Sequence, residues 1–167
     1  VLEGELEHRD SEGNRGVITP GLAQRMSAGT GIWHSEINPS STKSVRLVQM
    51  WVPPDTRRVQ PSYEQLDISR ELAGGGLVPV ASGRRKGAIA IRQKDATLWA
   101  GRLAPGAQVS VPESSHAHLF VATGEVSLDH EGKLLQGDAA RMSGAGQPKV
   151  TAGNNGAEIL IWETSLF

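Results

Sequence analysis

The sequence predicts an all-β chain made of two copies of one β-rich unit, with the first copy incomplete. Three observations carry this reading. The chain repeats itself: V-L-E-G-E from Val1 matches V-A-T-G-E from Val121, and G-L-A-Q-R-M-S from Gly21 matches G-D-A-A-R-M-S from Gly137, in the same order and at similar spacing. Its apolar segments, rich in Val, Ile, Leu and Thr, are short and are broken by Gly or Pro about every 8–12 residues, the rhythm of strands and turns. Only ISREL, residues 68–72, reads as helical, with Ser69 as a candidate cap and Gly74-Gly75-Gly76 as the stop.

Each element follows from local chemistry. Gly4 and Gly124 hold matching places in the two copies, between apolar and alternating residues, where a strand bends. S-E-G-N at 11–14 and H-E-G-K at 130–133 read as hairpin turns. T-P-G at 19–21 is another turn, with Pro presetting φ and Gly free to take positive φ. Each copy is expected to close on an apolar strand holding tryptophan, VRLVQMWV at 45–52 and AEILIWE at 157–163. Before Val121 lie about forty residues of strand-like sequence (LVPVAS, ATLWAGRL, QVSVP), whereas nothing precedes Val1. The expected division is therefore the C-terminal part of a first β-domain at 1–55, a joining region at 56–76 and a whole second β-domain at 77–167. On this reading the chain is the tail of a longer protein. Val1, Leu2 and Leu6 would then lack neighbours, and the chain is expected to be aggregation-prone or to be completed by another copy of itself.

Composition narrows the function classes. Hydrophobic residues make up 38% and charged residues 21%, a folding composition. Net charge is −1 with both signs scattered, which argues against direct nucleic-acid binding. Arg84-Arg85-Lys86 reads as a solvated turn rather than a phosphate patch. The chain has no cysteine, so thiol nucleophiles, disulfides and zinc–thiolate sites are excluded. No apolar run approaches the ~20 residues of a membrane span, and the acidic, mixed start is unlike a signal peptide. A cytoplasmic protein without membrane contact is the expectation. No G-x-S-x-G elbow or phosphate loop is present.

The chemistry-bearing candidates are histidines. In a strand, His34 and Glu36 (W-H-S-E) point to one face. An imidazole and a carboxylate there suit Fe, Mn, Ni or Zn, although H-x-E alone is a weak signal and is more often an edge-exposed polar pair. His116 and His118 form a second alternating pair, but the second copy has no histidine at the place of His34, in QPKVTAGNNG. They read as structural or solvent-facing, and the second barrel as metal-free. His8 and His130 sit among charges at hairpin ends and read as surface residues.

The stretches LEGELEHRDSEGNRGVITPG, MSAGTGIWHSE and VQMWV with PSYEQ behind it, then GGLVPVASG and GDAARMSG, resemble the pirin family over essentially the whole chain. That resemblance implies tandem cupin barrels of the double-stranded β-helix or jelly-roll kind, in agreement with the repeat. It also implies one divalent metal, Fe²⁺ in the usual case, in the first cupin only, held by an H-x-H pair and an H-x-E pair. His34 and Glu36 match the H-x-E pair. The H-x-H pair would lie upstream of VLEG, and His116-x-His118 does not replace it. Activity of this chain by itself is then not expected.

The resemblance further implies two functional classes. One is a quercetin 2,3-dioxygenase-type enzyme that opens a flavonol ring with O₂, with Glu36 as metal ligand and catalytic base and a flat aromatic substrate in the barrel. Met26 and the inward residues of 45–52 are the expected walls. The other is a non-enzymatic, iron- or redox-dependent regulator that binds a protein partner.

Overall fold

The computed structural model describes residues 1–165 and divides into two compact units, Val1–Ser69 and Arg70–Phe167, each all-β in construction. In the first unit, β1 (Leu6–Asp10), β2 (Arg15–Ile18) and β4 (His34–Ile37) form a sheet in the order β2-β1-β4, while β3 (Leu22–Ser27) pairs with β5 (Ser62–Asp67). The one α-helix among the described residues is α1 (Ser69–Ala73), five residues long. Asp67 caps it, its Oδ1 accepting the Ser69 N–H at 2.9 Å. The expected cap was Ser69; the carboxylate two residues earlier reaches the free N–H instead.

The second unit holds β6 (Leu77–Ser82), β7 (Ile89–Ala90), β8 (Ala96–Leu103), β9 (Gln108–Ser110), β10 (His116–Leu128), β11 (Gly132–Leu135), β12 (Ala139–Ser143) and β13 (Lys149–Thr164). Eight strands form one sheet along the path β11-β10-β13-β8-β6-β7, with β12 on β10 and β9 on β13. Alternation along β10 and β13 buries one side of each strand. Leu119, Val121, Ile159 and Ile161 meet there with Leu103, Val111 and Val126 in a continuous apolar core.

The duplication is visible in the backbone. Gly4 has φ 75° and Gly124 has φ 76°. A Cβ on Gly4 would collide with the Ser44 carbonyl, and a Cβ on Gly124 with the Gly156 carbonyl, so each copy needs a glycine where two chain segments cross. Superposing the two glycines in sequence sets Leu6 against Val126 and His8 against Leu128, and the matching close approaches set Ser44-Val45 against Gly156-Ala157.

The expected strand at 45–52 does not form. Only Glu3–Arg46 makes a bridge, and Leu47, Met50 and Trp51 are exposed. Its counterpart β13 lies between β8 and the 116–120 part of β10, both of which precede Val121. The described first unit supplies no equivalent of either, so the segment has no ladder to join. The 56–76 stretch contains β5 and α1. Among the described residues no helix is long and apolar enough to cross a membrane.

The basic turn is also not simply solvated. Arg84 and Arg85 both pair with the buried Glu163, and the Arg85 guanidinium lies 4.6 Å over the Trp99 ring. A carboxylate buried at the end of β13 draws them inward.

Candidate metal centre

The first unit places its polar side chains on one sheet face. In the register of β1 against β4, His8 faces Glu36 and Asp10 faces His34. Residues two apart, and residues directly opposite, share a face. His8, Asp10, His34 and Glu36 therefore form one quartet.

His8 is its centre. Its side chain is fully buried, contrary to the surface position expected from its charged neighbours. The overlooked signal is alternation: Leu6 is buried, so His8 two residues on points the same way. The His8 ring stacks on Tyr63 at 4.7 Å between centroids and on His34 at 6.0 Å. Across β2, His8 is opposite Gly16. A Cβ there would come within 3.0 Å of Gln65 Nε2, so the glycine leaves room for the side chains of β5.

Asp10 anchors both the turn and the histidine. Its Oδ1 accepts the N–H groups of Glu12 at 3.0 Å and Asn14 at 2.9 Å, and its Oδ2 lies 3.2 Å from His8 Nε2. This gives H-R-D-S-E-G-N its mechanism: an Asx-type turn, Gly13 at positive φ, and a carboxylate left over for the ring. Burial pushes the Asp10 carboxyl up, but the hydrogen bonds from Asn14, His8 and the Glu12 backbone outweigh it and hold it below its ordinary value. A carboxylate only accepts, so His8 Nε2 donates in this contact. The other nitrogen, Nδ1, is buried without a hydrogen-bond partner and faces Glu36 Oε1 at 3.6 Å.

Glu36 is held from two sides. Gln24 Nε2 donates to its Oε1 at 3.0 Å and Gln49 Nε2 to its Oε2 at 3.2 Å. Behind Gln24, the Tyr63 hydroxyl donates to Gln24 Oε1 at 2.6 Å and accepts from Gln65 Nε2 at 2.6 Å. Burial pushes the Tyr63 hydroxyl above its ordinary value; the Gln65 bond opposes this, and the negative charges of Asp10 and Glu36 add to it. Gln24, Met26, Tyr63 and Gln65 share one face of β3–β5. Of the expected walls, Met26 is half-buried here, whereas Leu47, Met50 and Trp51 are exposed. Gln24 and Tyr63 were not expected. Alternation from Met26 would have found Gln24, and Tyr63 sits in a stretch that looks like connection.

His8 Nδ1 and Glu36 Oε1, 3.6 Å apart and not hydrogen-bonded to each other, leave a place for a cation or a proton. The imidazole and carboxylate of His34 and Glu36 suit a borderline divalent ion and could fill two positions around it. Among the described residues no group of three or more His, Asp or Glu closes into a complete metal cluster. His116 and His118 are half-buried on β10 in the second unit, where His116 Nδ1 contacts Ser143 Oγ at 3.0 Å.

Residues 1–52 match the Pirin family model, and residues 79–164 match the Quercetinase C-terminal cupin domain. A Mycobacterium tuberculosis protein named "Putative quercetin 2,3-dioxygenase" is 51% identical over 165 residues, covering 98% of this chain and 67% of that protein. The chain belongs to the pirin family. The crystal structure of YhhW from Escherichia coli superposes with a TM-score of 0.87 at 31% identity, over 99% of this chain and 70% of that one. Another structure, of bacterial pirin YhhW in complex with nickel(II), gives 0.85 at 30% identity over 99% and 71%. The pirin bicupin fold and the repeat read from the sequence thus agree. The quartet lies within the part matched by the Pirin model, and the buried Leu128 and Val150 within the part matched by the cupin model.

Proposed function

We propose that this chain carries part of a pirin-type divalent metal site, with iron as the physiological ion, and that the site serves a quercetinase-type opening of a flavonol-like aromatic ring. The observation that carries the reading is the convergence of His34, Glu36 and the partnerless His8 Nδ1 on one sheet face. The nickel(II) complex of a relative supports a divalent ion in this family. The names of other relatives support the flavonol chemistry.

In this reading His34 contributes a neutral imidazole nitrogen and Glu36 a carboxylate oxygen. A divalent ion bound there supplies Lewis acidity toward the hydroxyl and ketone oxygens of the substrate. Glu36 takes the hydroxyl proton on its carboxylate, and the amides of Gln24 and Gln49 keep that carboxylate in reach. The buried His8 ring, stacked on Tyr63, lies beside that carboxylate.

The test is ferrous titration and aerobic flavonol bleaching, performed on this chain and on the chain extended upstream of Val1 with the relatives' segment. Stoichiometric iron in the extended chain, with bleaching abolished by His34→Ala and by Glu36→Gln, is the expected result. Iron bound at His34 and Glu36 without turnover would instead favour the redox-dependent regulator. Iron that ignores both substitutions would overturn the site.

A further inference from the structure

Four side chains of the first unit form a one-directional hydrogen-bond chain that ends on Glu36. Gln65 Nε2 donates to the Tyr63 hydroxyl at 2.6 Å, that hydroxyl donates to Gln24 Oε1 at 2.6 Å, and Gln24 Nε2 donates to Glu36 Oε1 at 3.0 Å. The direction is dictated from the acid end. A carboxylate offers only acceptors, so Gln24 must turn its NH₂ toward Glu36. Its carbonyl then faces Tyr63, whose hydroxyl must donate. The oxygen of Tyr63 is left to accept, so Gln65 too must present its NH₂. Both amides and the hydroxyl have one consistent arrangement while Glu36 is a carboxylate.

The geometry around the chain is built for it. Gln24 and Gln65 are directly opposed in the β3–β5 ladder, and Met26 is opposed to Tyr63, so the donors lie on one face at fixed register. Gly16 leaves the space that Gln65 Nε2 occupies. The Tyr63 ring is packed against His8, which limits where its hydroxyl can go.

We propose that Tyr63, acting through Gln24, is the positioning residue for Glu36: it fixes Oε1, the oxygen that faces His8 Nδ1, while Gln49 holds Oε2, and so sets how the carboxylate is presented to a bound ion. This rests on the metal-site reading above. The chain carries information in both directions. A cation drawing on Glu36 weakens its hold on Gln24, and Tyr63 senses the change two bonds away.

The sequence contains one tyrosine, so a ¹³Cζ-tyrosine label gives a single resonance that reports on this hydroxyl alone. Two arms are measured on the same chain. Without metal, Glu36→Gln removes the group that fixes the direction of the chain, and the Tyr63 resonance should move; Gln24→Leu should move it too. With Zn²⁺ as the probe, the wild-type resonance should shift saturably. Gln24→Leu should lose that shift, and Tyr63→Phe should weaken Zn²⁺ binding by about tenfold, the usual scale for residues that orient a ligand. Thermal unfolding of Tyr63→Phe and Gln24→Leu checks that both still fold.

A metal-free resonance indifferent to Glu36→Gln overturns the proposal, whatever Zn²⁺ does. So does wild-type Zn²⁺ affinity in both Tyr63→Phe and Gln24→Leu. A resonance that responds to Glu36→Gln in a chain where Zn²⁺ ignores His34 and Glu36 would leave the hydrogen-bond chain standing and remove the metal-site reading.

Discussion

The two units put different chemistry into the same place. Aligned on Gly4 and Gly124, His8 corresponds to Leu128. The strand partner of His8 is Glu36, and the partner of Leu128 is Val150. Both pairs are turned inward, with His8 fully buried, Leu128 2% exposed and Val150 0% exposed. One copy uses the slot to hold a polar pair, and the other uses it to close an apolar core. A β-barrel unit needs its inward face filled, but filling it with imidazole and carboxylate gives up hydrophobic stabilisation and demands partners for every polar atom. The first unit accordingly carries few buried apolar side chains, Leu6, Ile18 and Ile68.

The comparison can be broken by exchanging the pairs. Leu128→His with Val150→Glu should cost the second unit ~4 kcal/mol, from lost apolar burial and two polar groups without partners. Urea unfolding measures it, and a loss under about 1 kcal/mol would show that the slot is not part of the core.

The matched glycines give the next largest effect. Gly124→Ala forces a side chain into positive φ against the Gly156 carbonyl, for a loss of about 2–3 kcal/mol. Gly4→Ala meets the Ser44 carbonyl in the same way, but the facing segment forms a single bridge, at Arg46, rather than a strand and can give, so its loss should be smaller. Equal losses in the two variants would contradict that difference.

The reverse exchange sharpens the contrast. His8→Leu with Glu36→Val should leave the first unit's stability within about 1 kcal/mol of the original, or raise it, because apolar replacements of buried polar pairs are often neutral or stabilising. Metal binding should disappear. A large loss of stability, read by the same urea titration, would mean that the polar quartet holds the unit together.

The smallest effect concerns Asp67. Its hydrogen bonds with Ser69 hold its carboxyl below the ordinary 3.8. A depressed carboxyl contributes stability that is present above its unfolded value and is lost as pH falls through the folded one. Asp67→Ala should therefore lower the melting temperature slightly at pH 7 and make no difference near pH 2. A difference that persists in acid would assign the effect to something other than this cap.

How much of this was legible in the sequence depends on the kind of signal. The duplicated V-x-x-G-E and G-x-A-x-R-M-S blocks and the turn residues announced the all-β fold, because glycine at positive φ and proline at a turn are local requirements. His34 and Glu36 were legible as a pair because i, i+2 spacing is fixed in a strand. His8 was masked by its charged neighbours Glu7 and Arg9, which point the other way. The strand expected at 45–52 fails to form, because apolar content says nothing about whether a ladder partner is at hand. Gln24 and Tyr63 acquire meaning only from the register between β3 and β5, a pairing across some forty residues that no local pattern records.

Strand β13 has a consequence for biosynthesis. It joins β8 on one side to β10 on the other; without it the large sheet falls into two pieces, β7-β6-β8 and β11-β10-β12, and β9 loses its ladder. Each piece would leave an open ladder edge and half a core exposed. The partners of Ala96–Leu103 lie at Ala157–Thr164, so these contacts close late and across a long loop. During translation the second unit therefore cannot mature strand by strand. Until β13 is available to pair, the apolar strands Ala96–Leu103 and His116–Leu128 lack their partner, and such exposed strands are what chaperones protect.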